Sequence, residues 1–174
     1  MTRCGLWILG GCLAAVLPLS SGRAQTTAAP DSSFVEQAGR AGAAEVQSGQ
    51  LAEKQAHRAD VRTVAQTMVR DHDWMNQKLA MVAQQNNMAV PAGPDRQQQE
   101  MLRQLRGMHG ATFDRHWLDD QAMMHEQAIR LFRTEAEQGT DPNLKQLAQR
   151  VLPRLEEHLR MVEKLGGHAA PKTT

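Results

Sequence analysis

The sequence predicts an all-α fold, a ferritin-like four-helix bundle with a short extra helix in the crossover between its second and third long helices. Three observations lead there. Four segments repeat apolar residues at alternating steps of three and four, the period of a buried helix face. Turn-forming residues separate them: Pro91, Gly93 and Pro94, then Gly107 and Gly110, then Gly139 with Pro142. A weak internal repeat pairs the first two long segments with the last two, the arrangement of two helical hairpins joined by a longer crossover.

Taken in order, Ser33-Phe34-Val35-Glu36 reads as a capping box that opens the first helix, which runs to about His57. Its seam is Ala38, Gly42, Glu45, Gly49, Ala52 and Ala56, small in volume throughout. Each glycine costs roughly one kcal/mol against alanine, a cost that suits a close helix approach. Asp60 is placed to cap the second helix, which continues to about Asn86 along Val61, Ala65, Met68, His72, Met75, Leu79 and Val82. The turn between them is short, so the two should be antiparallel neighbours.

Residues 87–95 read as a loop, and Arg96 to Leu105 as a short polar helix touching the rest through Met101, Leu102 and Leu105. The third long helix opens near Thr112 and ends at Gly139, with Leu118, Ala122, His125, Ile129, Phe132 and Ala136 on its seam. Asp141-Pro142 then gives a cap and a first-turn proline for the fourth. That helix reaches Leu165 along Leu144, Ala148, Val151, Leu155, His158 and Val162. Pro153 removes one backbone hydrogen bond a turn before His158, either as a tolerated bend or as a kink that aims the histidine.

The repeat sets Val61 to Val69 on Leu144 to Leu152. A slightly different slide sets Leu51 to Ala56 on Leu131 to Ala136 and brings Glu45 onto His125.

The N-terminus carries a targeting pattern. Arg3 precedes an apolar run from Leu6 to Leu19, and Gly22-Arg23-Ala24 places small residues for a cut before Gln25. The expected organisation is a signal peptide at 1–24, a disordered leader at 25–32, the bundle at 33–166 and a disordered tail at 167–174. The expected location is the periplasm or beyond, with no transmembrane span after processing. An alternative is lipidation at Cys12, because Leu9-Gly10-Gly11-Cys12 resembles a lipoprotein box; against it, the apolar run continues through Leu17.

Cys4 and Cys12 both lie in this segment, so disulfides, thiolate metal sites and cysteine nucleophiles are excluded from the processed chain. Processing takes the basic residues from 20 to 18 against 19 acidic ones, and a chain near neutrality offers no electrostatic case for nucleic acid. An envelope protein or a second copy of the chain is the expected kind of partner.

One polar side chain interrupts each seam: Glu45, His72, His125 and His158. Mid-helix positions on inward faces meet near the centre of a bundle. A carboxylate with three imidazoles is a donor set for a divalent transition metal. Asp71, Asp119, Asp120 and Glu157 are the candidates to orient those imidazoles. The plainer reading is a hydrogen-bonded polar layer kept for register. The Glu-x-x-His pattern of di-iron carboxylate proteins is absent, since Val69, Ala122 and Leu155 stand three residues before the three histidines. No catalytic constellation is legible; Asp71 and Asp73 flank His72 in sequence and therefore point away from it on a helix.

All but Met1 of the 10 methionines lie in the processed chain. Met68, Met75 and Met161 are at core spacing, whereas Met123-Met124-His125 and Met108-His109 offer soft thioethers beside imidazoles, a pairing suited to copper(I). Trp74 and Trp117 are expected to cover the bundle ends or a groove.

Four motifs in order resemble the bacterial family catalogued as domain of unknown function 4142. They are Ala41 to Ala52, Ala65 to His72, Met124-His125 through Leu131-Phe132, and Leu152 to Leu159, within a likeness spanning Phe34 to Leu165. The resemblance implies a secreted protein grouped with ferritin-like bundles and often labelled outer-membrane or periplasmic. It implies no activity. The expected function is therefore that of a non-catalytic envelope or stress-related protein. A metal-binding bundle with a Glu/His site is the alternative, and a metal-dependent redox enzyme the weaker one.

Overall fold

The computed structural model describes residues 28–168, and these contain five helices and no strand. The helices are α1 (Ala28–Gln55), α2 (Ala59–Gln85), α3 (Arg96–Arg106), α4 (Gly110–Gln138) and α5 (Pro142–Lys164). The expected signal peptide, its cleavage site and Cys12 lie outside the described residues, as does the tail beyond His168. Among the described residues, no helix is long and apolar enough to cross a membrane.

α1 packs on α2 and α4 on α5; the two hairpins then meet through α1 against α4 and α2 against α5. The crossover runs along the bundle. Val90 and Pro91 lie against Gly39 near the start of α1, and the Gln55 side chain at its end donates to the Leu105 carbonyl at 3.3 Å. α4 therefore starts at the end where α2 starts, and neighbouring long helices are antiparallel. Close approach of α1 and α2 depends on two glycines: a Cβ at Gly42 would collide with Asn76, and one at Gly49 would sit 2.6 Å from Val69 Cγ2.

The ends show which local signals prevail. Asp141 caps α5 as expected, accepting from the Asn143 and Leu144 amides at 2.9 and 2.8 Å, with Pro142 in the first turn. Asp95 caps α3 in a full capping box with Gln98. Two expectations fail. α1 is already helical at Ala28, so residues 28–32 belong to the helix; Ser33 sits inside it and accepts from Gln37. Asp60 does not cap α2, where its carboxylate pairs with Arg58 and the Val61 amide.

The amides of the α1–α2 turn are claimed from the other hairpin. Asp114, in the first turns of α4, accepts from the His57 and Arg58 amides at 2.9 Å each. Asp31 in α1 reciprocates on the α4–α5 turn, accepting from the Thr140 and Asp141 amides at 2.9 Å. Asp31 and Asp114 are separated by the same offset as Val61 and Leu144, and shifting α1 and α2 by that offset lays them almost end to end on α4 and α5. The hairpins are thus related by an approximate two-fold, and each locks the other's turn.

The interior holds two apolar clusters. One gathers Phe34, Met75, Leu79, Phe132, Leu147 and Leu155; the other gathers Val61, Met68, Phe113, Trp117, Leu118 and Val162. Trp117 is fully buried in the second cluster rather than covering an end, and its indole N–H donates to the Ser48 carbonyl at 3.2 Å. Each large apolar side chain buried this way contributes about 1.5–3 kcal/mol. Between the clusters lies a buried polar layer: Glu45, Ser48, His72, Gln121, His125 and His158.

Candidate metal centre

Three of the four seam residues meet. His72 from α2, His125 from α4 and His158 from α5 are each at most 4 % exposed, and one nitrogen from each lies within 4.8 Å of the other two. Their ring centroids form a nearly equilateral triangle with sides of 5.4, 5.3 and 5.3 Å. The His125 Nε2 is 3.4 Å from His72 Nε2 and 3.3 Å from His158 Nδ1.

What the outer nitrogens do decides the chemistry of the inner ones. His125 Nδ1 is 2.9 Å from the Gln121 carbonyl, which can only accept, so the proton sits there and Nε2 presents a lone pair. His158 Nε2 is 3.0 Å from Asp71 Oδ2 and donates to that carboxylate, leaving Nδ1 as a lone pair. The 3.3 Å contact between His125 and His158 therefore sets lone pair against lone pair. His72 can offer one proton to the triangle and no more.

Protonation is a poor remedy. Burial first, and the other two imidazoles second, hold His72 well below its usual range. Burial and His158 push His125 down to about 3, although its bond to Gln121 opposes this. Burial also lowers His158, against the pull of Asp71.

Asp71 is the one orienting residue of the four expected that bonds a cluster histidine. It lies one residue before His72 yet serves His158, and Arg154 holds its other oxygen at 3.1 Å while resting 5.0 Å above the Trp74 ring. Asp119 accepts from the His168 amide and Glu157 pairs with Arg160. Burial, the first of its causes, raises Asp120 to about 6.

Glu45 stands apart from the triangle. Its Oε1 is 3.4 Å from His125 Nδ1, the nitrogen that faces away from the other rings, so Glu45 backs His125 instead of joining the inner nitrogens. Burial, the largest influence, raises its carboxyl to about 8; the Gln121 side chain pulls it down and Asp120 pushes it up. Its Oε2 is buried with no hydrogen-bond partner.

His109 is the exposed residue before α4, and Met124 lines a surface recess beside Gln37 and Asp95. Sequence reasoning also missed Gln121, whose carbonyl sets the His125 tautomer and whose side chain donates to Ser48 Oγ at 3.2 Å. Its place one turn before His125 on the same helix was the available signal.

No curated protein matches the chain. Among solved structures, a DUF305 protein of Streptomyces coelicolor, described as secreted, superposes with a TM-score of 0.70 over 83 % of this chain and 98 % of that one. The two share 13 % sequence identity, so the likeness is one of fold. The model of the domain of unknown function DUF4142 matches residues 17–165, which takes in all five helices and the three converging histidines. The chain belongs to the DUF4142 family.

Proposed function

We propose that this protein is an exported, ferritin-like bundle that holds one transition-metal ion on His72, His125 and His158, with zinc(II) the foremost candidate. One observation carries the reading: two inward lone pairs 3.3 Å apart in a buried layer, with both outer N–H groups already committed. Zinc–imidazole bonds of 2.0–2.1 Å in tetrahedral geometry put neighbouring nitrogens ~3.3–3.4 Å apart, the spacing of His125 Nε2 from both His72 Nε2 and His158 Nδ1. Neutral imidazoles without thiolate suit zinc, copper, iron or nickel, and zinc is the ion that most often takes a four-coordinate site of this donor type. The Asp71–His158 pair supplies the carboxylate backing that metal-bound histidines commonly have.

The ferritin-like arrangement is supported by the antiparallel hairpins, the crossover bearing α3 and the reciprocal turn caps. Export rests on the N-terminal pattern from Arg3 to Ala24. The cavity beside His72, the one cluster histidine that lines it, is about 20 Å³, room for one water-sized molecule and not for an organic substrate. Holding an ion, as a buffer or carrier of the cell envelope, is therefore favoured over turnover of a metabolite.

The test is metal content of the processed protein, purified untagged from periplasm, beside His72→Ala, His125→Ala, His158→Ala and the exposed control His109→Ala. One equivalent in the wild type and control, lost in the three cluster variants while they remain folded, is expected. A metal-free wild type that shows no thermal shift with zinc, copper, iron or nickel would sink the reading and leave the layer as a structural hydrogen-bond network.

A further inference from the structure

The cavity beside His72 is a product of the two-fold, and its position says what could fill it. The offset that carries Asp31 onto Asp114 also carries Gly42 onto His125, Met75 onto His158 and His72 onto Leu155. Gly42, Met75 and Leu155 all line the cavity, together with His72 itself, Glu45 and Ala128. The cavity is thus the counterpart of the histidine triangle in the other hairpin's frame, with small and apolar side chains where the triangle has imidazoles. His72 and Leu155, each the other's counterpart, sit at the boundary, so the two sites share a wall.

The lining is apolar except at three places: His72, Asn76, whose side chain lies over Gly42, and Glu45. Glu45 is 3 % exposed and its Oε2 has no hydrogen-bond partner in the protein. A buried carboxyl oxygen normally finds a partner, and a molecule in the cavity would supply one. At about 20 Å³ the space takes one water, and water needs polar neighbours to stay. Three histidines also leave a four-coordinate ion one ligand short.

We infer that the ion on His72, His125 and His158 carries one exchangeable water-sized ligand, lodged in the cavity beside His72 and hydrogen-bonded to Glu45. This rests on the metal-binding reading above. It assigns Glu45 to the outer ligand instead of to the ion, and it makes the Gly42 and Ala128 side of the bundle a compartment for a molecule no larger than water.

The experiment loads the processed protein with one equivalent of copper(II) and records its electron paramagnetic resonance spectrum in ordinary and in ¹⁷O-enriched water. Broadening of the copper lines by ¹⁷O is expected in the wild type. It should be lost in Ala128→Leu, which fills the cavity from α4 while leaving the three histidines in place; Ala38→Val, filling it from α1, serves if Ala128→Leu does not fold. Failure to take up copper or any other ion would overturn the metal reading and this inference with it. Copper uptake without broadening would overturn the inference alone. Broadening that persists in a folded, copper-loaded filled variant would place the water on another face and overturn the assignment to the cavity.

Discussion

Replacing Asp71 with alanine should weaken metal binding without unfolding the bundle, and the size of the effect follows from the contacts. Asp71 touches no inner nitrogen. Its Oδ2 accepts from His158 Nε2 at 3.0 Å and its Oδ1 from Arg154 at 3.1 Å. Without the carboxylate, nothing selects the His158 tautomer that turns Nδ1 inward. Loss of such a backing group costs about 10–100-fold in metal affinity, or about 1.4–2.7 kcal/mol. The metal-free fold should lose less, about 1 kcal/mol, because the Arg154 pair is half-exposed and Asp71 lies where water can replace its bond. Competition against a chromophoric chelator measures the affinity, and urea unfolding in chelator measures the fold. Asp73→Ala, an exposed change two residues away, is the control. Equal affinities for the wild type, Asp71→Ala and Asp73→Ala would refute the tautomer argument.

The reciprocal caps predict that Asp31→Ala and Asp114→Ala each cost about 1–3 kcal/mol in urea unfolding, because each orphans two turn amides; Asp60→Ala should cost far less than either, because its ion pair is solvent-exposed. Glu135 predicts a pH effect away from the histidines. Burial, then Asp31 and Asp141, raise its carboxyl to about 7 against the pull of Lys145. The native state then binds the extra proton between the unfolded value near 4.5 and about 7, so stability falls as pH rises through that window. Thermal melts of Glu135→Gln should lack this part of the decline, and an unchanged pH profile would contradict it. Finally, leucine at His72, His125 and His158 together should raise the melting temperature of the metal-free protein while abolishing metal uptake, since apolar replacement of a buried polar set is often stabilising. A less stable triple variant would mark the layer as structural.

Much of this was readable in the chain because helix faces are encoded locally. Counting by threes and fours put His72, His125 and His158 on inward seams, and all three are buried. The same count put Glu45 inward, correctly, but treated it as a fourth ligand. Periodicity gives a residue's face; it does not give the height at which its tip meets the tips from other helices, nor which ring nitrogen it reaches. That depends on the register between hairpins, and the repeat offered two offsets. The reciprocal aspartates choose the one that sets Val61 on Leu144, which leaves Glu45 behind His125. Asp31 and Asp114 were themselves illegible, because their partners are amides of turns in the other hairpin. The start of α1 was misplaced for a related reason: Ser33 and Glu36 have the cap pattern, yet Asp31 must already be helical to reach the α4–α5 turn.

The placement of the triangle connects the fold to the proposed chemistry. His72 comes from one hairpin, while His125 and His158 come from the other. Neither hairpin alone carries all three histidines, so the proposed site needs the two docked. An ion bound there favours the docked bundle over any state with the hairpins apart, by an amount set by its concentration relative to its dissociation constant. The reverse also holds: whatever loosens the α2–α5 contact must weaken the ion's hold, because binding and docking are one linked equilibrium. The polar layer separates two apolar clusters. A bundle built for stability alone would fill that layer with leucine; the proposed ion site accounts for a layer that stays polar and triangular at the junction of the two halves.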